Sequence, residues 1–319
     1  MRLCRYDDQG QPRAALFYDE RLVPLHAAAE IYAQETGQRL ELPPGDDLLC
    51  YLPPDGPRHA ACRTLEAYVG PRLERLPAHA VLSVEQTSLL VPVPRPNKLF
   101  LLAGNYAEHI REGGGMAVER AETFPYVFMK PPSTTLLAPG RAVRLPEISP
   151  AAIDWELELA VIIGRRAKRV AEAEALGVVA GYTIINDISD RRFRPNPQRR
   201  TRDRDAFFDW MHGKWHDGFC PCGPCILSAD CLGDPQTLRM ELRLNGEVRQ
   251  QASTAEQIFP VAAVIAFISN FVTLEPGDII STGTPSGVGA ATGTFLKPGD
   301  RLEASIAQIG TLVSTVEAE

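Results

Sequence analysis

Two glutamates stand two apart in Asp154-Trp155-Glu156-Leu157-Glu158-Leu159-Ala160, which runs on into the apolar Val161-Ile162-Ile163. Side chains alternate across a strand, so Glu156 and Glu158 share one face while Trp155, Leu157 and Leu159 fill the other. Two carboxylates forced together beside an apolar run are costly unless a cation or a shared proton relieves the repulsion. The plainer reading is a solvent-facing edge strand with two ordinary glutamates. A third carboxylate, Asp187, follows Asn186 at the end of the apolar run 178–185, where the plainer reading is a turn cap. Three hard oxygen ligands with positions left open suit Mg²⁺, Mn²⁺ or Ca²⁺ rather than zinc.

Other residues with chemical capability are scattered along the chain. If a helical turn begins near Asn105, His109 and Glu112 are three apart and share a face, so Glu112 can orient His109 as a general base; a surface pair is the alternative. The stretch 281–287, Ser-Thr-Gly-Thr-Pro-Ser-Gly, is a glycine-rich turn whose amides and Thr284 hydroxyl could hold a carboxylate or carbonyl oxygen. It lacks the lysine of a phosphate-binding loop, and a plain hairpin turn would look the same. Cys220-Pro-Cys-Gly-Pro-Cys225, with Cys231 nearby, could suggest a zinc knuckle, but its prolines and the apolar residues after it predict a tight turn entering a strand. No Gly-Xaa-Ser-Xaa-Gly occurs, which removes support for a serine-hydrolase elbow.

These residues need a scaffold, and the composition describes it. Among 319 residues, 25 Gly and 27 Pro favour a loop-rich and strand-rich protein over a helical bundle. With 33 basic against 40 acidic side chains the net charge is −7, which argues against nucleic acid or an anionic membrane recognised by bulk charge. No apolar run approaches a membrane span, and MRLCRYDDQG has no apolar signal core, so a cytoplasmic enzyme or binding protein is expected. Seven scattered cysteines do not form a disulfide framework, so reduced thiols are expected.

Residues 1–92 read as a small N-terminal α+β domain, with short strands and a helix over 26–35 closed by Gly37. Val91-Pro-Val-Pro-Arg-Pro96 is the expected linker, because consecutive prolines disfavour helix and remove ladder donors. Residues 93–319 read as a mostly β domain with a few packing helices, the clearest over 255–271. An Arg-rich stretch, 191–204, is the compositional oddity.

Taken in order, the motifs resemble the fumarylacetoacetate hydrolase superfamily from about Val93 onward. They are Leu102-Ala-Gly-Asn-Tyr-Ala-Glu-His109, Phe128-Met-Lys-Pro131, the 154–164 acidic strand, Gly181-Tyr-Thr-Ile-Ile-Asn-Asp187, Gly213-Lys214, Asn245-Gly246, Leu274-Glu-Pro-Gly-Asp278 and Thr282-Gly-Thr-Pro-Ser-Gly287. The resemblance implies a mixed β-roll catalytic domain that usually dimerises. It implies Glu156, Glu158 and Asp187 as ligands of Mg²⁺, Mn²⁺ or Ca²⁺, His109 and Glu112 as the dyad, and Lys214 beside a developing oxyanion. Thr284, Arg191, Lys130 and Tyr106 are implied at or near the substrate. The implied activity is metal-dependent hydrolysis of a carbon–carbon bond in an acylpyruvate-like 1,3-diketo acid, with a small 2-oxo acid as partner. The alternative is decarboxylation of oxaloacetate, or isomerisation or hydration of an unsaturated 2-oxo acid, in aromatic or sugar-acid catabolism. The arginines of 191–204 depart from the family pattern and put substrate identity in doubt; one of them could clamp a second carboxylate, while a solvated loop suits most of them.

Overall fold

Short runs rich in Leu, Ile and Val, punctuated by Gly and Pro, form strands wherever two apolar faces can be covered. In the computed structural model, which describes residues 1–43 and 45–319, they build two large sheets and a two-stranded one of Ile153–Asp154 with Ser189–Asp190. The main sheet runs in the order Leu82–Ser83, Arg21–Pro24, Gln11–Tyr18, Arg2–Asp8, Cys220–Ser228, Val179–Asn186, Leu157–Ile163, Ile279–Ser281, Leu99–Ala103 and Tyr126–Met129. Two short strands, Leu89–Leu90 and Leu136–Leu137, pair alongside it. A second sheet runs Glu247–Ser253, Arg239–Leu244, Arg301–Ile306, Gly310–Ala318 and Ala142–Leu145. The fold is mixed α+β, as expected of a β-roll catalytic domain with a few packing helices.

Leu157–Ile163 lies at the centre of the main sheet, not at an edge, and every one of its residues is buried. Leu157, Leu159, Val161 and Ile163 enter the core shared with the second sheet, alongside Met240, Leu242, Leu302 and Leu312. Ala160 and Ile162 enter the opposite core, beneath the helices Leu25–Thr36 and His59–Val69. A fully buried Leu, Ile or Val contributes roughly 1.5–3 kcal/mol relative to exposure. The five such residues of this strand therefore offset the several kcal/mol that burying one carboxylate costs.

Where the sequence predicts a boundary at 91–96, the main sheet is continuous. Arg2–Asp8 pairs with Cys220–Ser228 through Arg2 opposite Leu227 and Leu3 opposite Ile226, so the N-terminal segment shares the sheet that carries the acidic strand. The predicted helix near residue 26 is Leu25–Thr36, closed by Gly37 in the left-handed region at φ 74°. The helix expected over 255–271 begins only at Val261, because Pro260 lacks an N–H and holds Phe259 extended. Cys220–Ser228 is a nine-residue strand and not a turn: Gly223, at φ 139°, pairs with Ile184 where the register shifts after Tyr182, which pairs with Leu227. The thiols of Cys220, Cys222 and Cys225 are buried, and the acidic triad is the one metal-capable cluster among the described residues. No helix among the described residues is long and apolar enough to cross a membrane.

Candidate active site

Register brings the three carboxylates together. Leu157 pairs with Asn186 across antiparallel strands, so the residues just outside that pair, Glu156 and Asp187, are neighbours, and Asp187 N donates to Glu156 O at 2.8 Å. Asn186 Oδ1 accepts from Glu156 N at 2.9 Å and fixes the approach. Glu158 sits one side-chain repeat further in. Ligand oxygens of Glu156, Glu158 and Asp187 all lie within 4.8 Å of one another, and all three residues are buried.

Three cations surround this cluster. Lys214 Nζ donates to Glu156 Oε2 at 2.8 Å and to Asp187 Oδ2 at 2.6 Å. Lys130 Nζ donates to Asp187 Oδ1, to Ile188 O at 2.9 Å and to Phe219 O at 2.6 Å. Arg191 donates from Nε to Asp154 Oδ2 at 2.8 Å, and its Nη2 lies 2.6 Å from Glu156 Oε1. Burial pushes the Glu156 carboxyl up, but Lys214, Arg191 and His109 outweigh it and hold the group well below the usual carboxylate range. Burial also pushes Glu158 up, and here Asp187 and Glu156 add to the effect, so its carboxyl lies well above that range. Burial opposes the Lys214 charge, yet Asp187 and Glu156 raise its pKa.

Glu158 Oε2 accepts from Gly283 N at 2.9 Å, whereas Oε1 is buried with no hydrogen-bond partner among the described residues. A buried, unpartnered carboxylate oxygen is expensive. Together with the hard oxygen donors of Glu156 and Asp187, it makes the cluster capable of coordinating a divalent cation.

The glycine-rich segment holds the protein's own acids instead of a ligand. Gly283 N binds Glu158, Gly287 N binds Glu112 Oε2 at 2.8 Å, and Gly289 N binds Asp154 Oδ1 at 2.6 Å. Gly287 has φ 97°, and a Cβ there would lie 2.0 Å from Arg249 O, so only glycine presents this amide. In the Ala107–Glu112 helix, His109 Nδ1 lies 2.7 Å from Glu112 Oε1. With Glu112 ionised, Nδ1 carries the proton and Nε2 is the open basic atom. Thr284 Oγ1 accepts from Gln250 Nε2 at 2.8 Å, and Gln250 Oε1 accepts from Leu157 N at 2.9 Å.

Three residues implied at or near the substrate are engaged by groups of the protein itself. Lys130 is fully buried and all three of its N–H donors are used, which makes it a positioning residue for Asp187. Tyr106 is 2% exposed, and its hydroxyl donates to Met240 Sδ at 3.2 Å within the core. Arg191 is held by Asp154 and Glu156. Two polar residues were not singled out by the sequence reading: Asp154, fully buried and bonded to Arg191 and to the 289–290 amides, and Gln250. Asp154 opens the acidic motif, which was the available signal; Gln250 carried none. Lys130→Met leaves Asp187 Oδ1 and two carbonyls without their donor and should destabilise the protein by about 3 kcal/mol, read as a urea-midpoint shift at constant slope.

The sequence model described as fumarylacetoacetate (FAA) hydrolase, C-terminal, matches residues 98–317, which include every residue of this site. A rat protein named oxaloacetate tautomerase Fahd2a, mitochondrial, is 36% identical over 233 residues, covering 72% of this chain and 70% of its own. The crystal structure of maleylpyruvate hydrolase from Sphingobium sp. SYK-6, in complex with manganese(II) and pyruvate, superposes with a TM-score of 0.69 at 29% identity, covering 100% of this chain and 99% of that one. The 5-carboxymethyl-2-hydroxymuconate delta-isomerase from Mycobacterium smegmatis gives 0.69 at 26% identity, with coverage of 100% and 99%. The acidic triad able to take a divalent cation lies within the matched residues, in a fold that these solved structures share along the whole chain, and the chain belongs to the fumarylacetoacetate hydrolase family.

Proposed function

We propose that the protein catalyses keto–enol interconversion of a small 2-oxo dicarboxylic acid of the oxaloacetate class. The observation that carries this reading is the fixed proton-transfer atom beside the acidic triad. Glu112 closes His109 Nδ1, Gly287 N closes the other Glu112 oxygen, and Nε2 alone remains to take and return a proton. The rat tautomerase, at 36% identity, supports it.

Glu156, Glu158 and Asp187 would hold a divalent cation, which would supply Lewis acidity toward the 2-oxo acid end of the substrate. His109 Nε2 removes a proton from the carbon next to the carbonyl and returns it to oxygen, and Glu112 stabilises the imidazolium between the two transfers. Lys214 has two of its three N–H donors on Glu156 and Asp187 and directs its charge to the oxygen where negative charge develops. Thr284 donates its hydroxyl proton to a substrate oxygen while Gln250 holds it from behind.

The carbon–carbon hydrolysis expected from the motifs is the second reading, favoured by the same dyad, which can equally activate water, and by the likeness to maleylpyruvate hydrolase. Absorbance decay of enol-oxaloacetate and of a panel of acylpyruvates, with Mg²⁺, Mn²⁺ or EDTA and product identification by NMR, separates the two. Metal-dependent acceleration of the enol–keto change without pyruvate or CO₂ is the expected result. Release of pyruvate and a free acid from an acylpyruvate, with oxaloacetate inert, would replace it by hydrolysis.

A further inference from the structure

The chain leaves the site after Asp190 and returns at Gly213, and the excursion between them carries the Arg-rich stretch and the Asp205–His212 helix. Its neck is tight. Asp190 N donates to Gly213 O at 2.9 Å, and a Cβ on Gly213 would lie 2.4 Å from Asp190 O and 3.3 Å from Phe193 Cβ. Further out, Arg199 and Arg202 pair with Asp205, and Arg199 also pairs with Asp209, which ties the stretch to its helix, while Arg192, Arg194, Arg200, Arg202 and Arg204 are exposed, as a solvated loop suits.

Within the neck is a pair of groups that no step above uses. Asp190 Oδ2 and His216 Nε2 are buried atoms, each without a hydrogen-bond partner, and they lie 3.6 Å apart. The Asp190 side chain is fully buried, and its other oxygen accepts from Arg192 N at 3.0 Å. The His216 ring sits between Phe193, edge-on at 4.9 Å, and Phe219 at 4.8 Å between centroids. Unpartnered buried polar atoms are rare and ask for a reason. A small rotation of the ring brings Nε2–H onto Oδ2, and among the described residues neither atom has another partner.

Position supplies the reason. Asp190 is adjacent to Arg191, which touches Asp154 and Glu156, and His216 lies two residues after Lys214, which bridges Glu156 and Asp187. The outgoing and returning segments of the neck each deliver one cation to the acidic triad. We propose that Asp190 and His216 are a positioning pair that closes the neck of the 191–213 excursion and thereby sets Arg191 and Lys214 against the carboxylates. The kinetic arm of this inference rests on the proposed enol chemistry; the geometric arm does not.

The test uses the full chain with His216→Phe, which keeps the aromatic packing and loses the donor, and His216→Gln, which restores a donor. Trypsin cleavage after the arginines of 192–204 reads opening of the neck, and kcat and KM for enol conversion read the placement of Lys214. The expected result for His216→Phe is cleavage about tenfold faster and kcat about tenfold lower with KM within twofold, from the loss of the donor that the ring turns onto the Asp190 carboxylate, at the scale of one hydrogen bond to a charged group. His216→Gln should restore both. Wild-type cleavage in His216→Phe, or faster cleavage with unchanged kcat, would overturn the positioning role. If His216→Phe does not fold, Asp190→Asn, which leaves an acceptor for Arg192 N, is read against the same two outcomes. An inactive wild type would remove the proposed reaction while proteolysis still decides whether the pair closes the neck.

Discussion

Glu158→Gln is expected to abolish divalent-cation binding and turnover together while making the metal-free protein more stable. The amide keeps an acceptor for Gly283 N, so the local backbone stays in place. What disappears is the anionic oxygen that has no other partner. Changing residues behind metal ligands commonly costs 10–100-fold in affinity, so removing a ligand charge should cost at least about 100-fold, read as loss of Mn²⁺ binding heat by calorimetry. The stability change has the opposite sign because burial, Asp187 and Glu156 all disfavour the Glu158 carboxylate. In EDTA near neutral pH, relief of that repulsion should raise the melting temperature by about 2 °C or more.

Its pH dependence follows. A carboxyl whose folded-state pKa is raised binds its proton more tightly when folded, so its contribution to stability is present at low pH and is lost as pH rises through the raised value. Glu156, held low, behaves oppositely and loses its contribution as pH falls. The difference between wild type and Glu158→Gln in urea melts from pH 5 to 8 isolates the first group and should widen as pH rises. A variant that still binds Mn²⁺ would remove Glu158 from the ligand set.

How much of this was legible in the sequence depends on whether a residue's role is set locally. The Glu156/Glu158 alternation is a property of one strand, and its two faces separate as a period of two requires. His109 and Glu112 are joined by a single helical turn, so their pairing was readable from spacing. Lys130 lies against Asp187 at the site, but that its remaining donors go to Ile188 O and Phe219 O, and that the Tyr106 hydroxyl goes to Met240, depends on packing distant in sequence that no local pattern carries. The glycine-rich segment was read as a cradle for a ligand, and chemically that was sound, since amides do bind carboxylates there. That Glu158, Glu112 and Asp154 occupy those amides is set by sheet register across more than a hundred residues, which no local pattern carries. The helix start at Val261 was legible and missed, because Pro260 already forbids the longer helix.

One segment thus fixes three acids with unlike duties: Glu158 for charge, Asp154 for Arg191 and Glu112 for the imidazole. The third is where a conservative change should be more damaging than truncation. His109→Ala is expected to lose about 10²- to 10⁴-fold in turnover while Mn²⁺ binds as in wild type, since the ring is not among the triad's oxygen ligands. Glu112→Gln should cost about as much. The carboxylate accepts twice, from His109 Nδ1 and from Gly287 N, whereas glutamine has one oxygen and one amide nitrogen. Gly287 N can only donate, so the glutamine oxygen must face it and the NH₂ must face the ring. Nδ1 is then forced to accept, the proton moves to Nε2, and the atom that should take the substrate proton is already protonated. This is the wrong-tautomer effect known from catalytic triads, where it costs about 10⁴-fold. Glu112→Ala, which imposes no tautomer, should be the milder of the two. Single-turnover enol conversion by the three variants at saturating Mn²⁺ checks the order, and a Glu112→Gln protein as active as wild type would show that His109 does not move the proton.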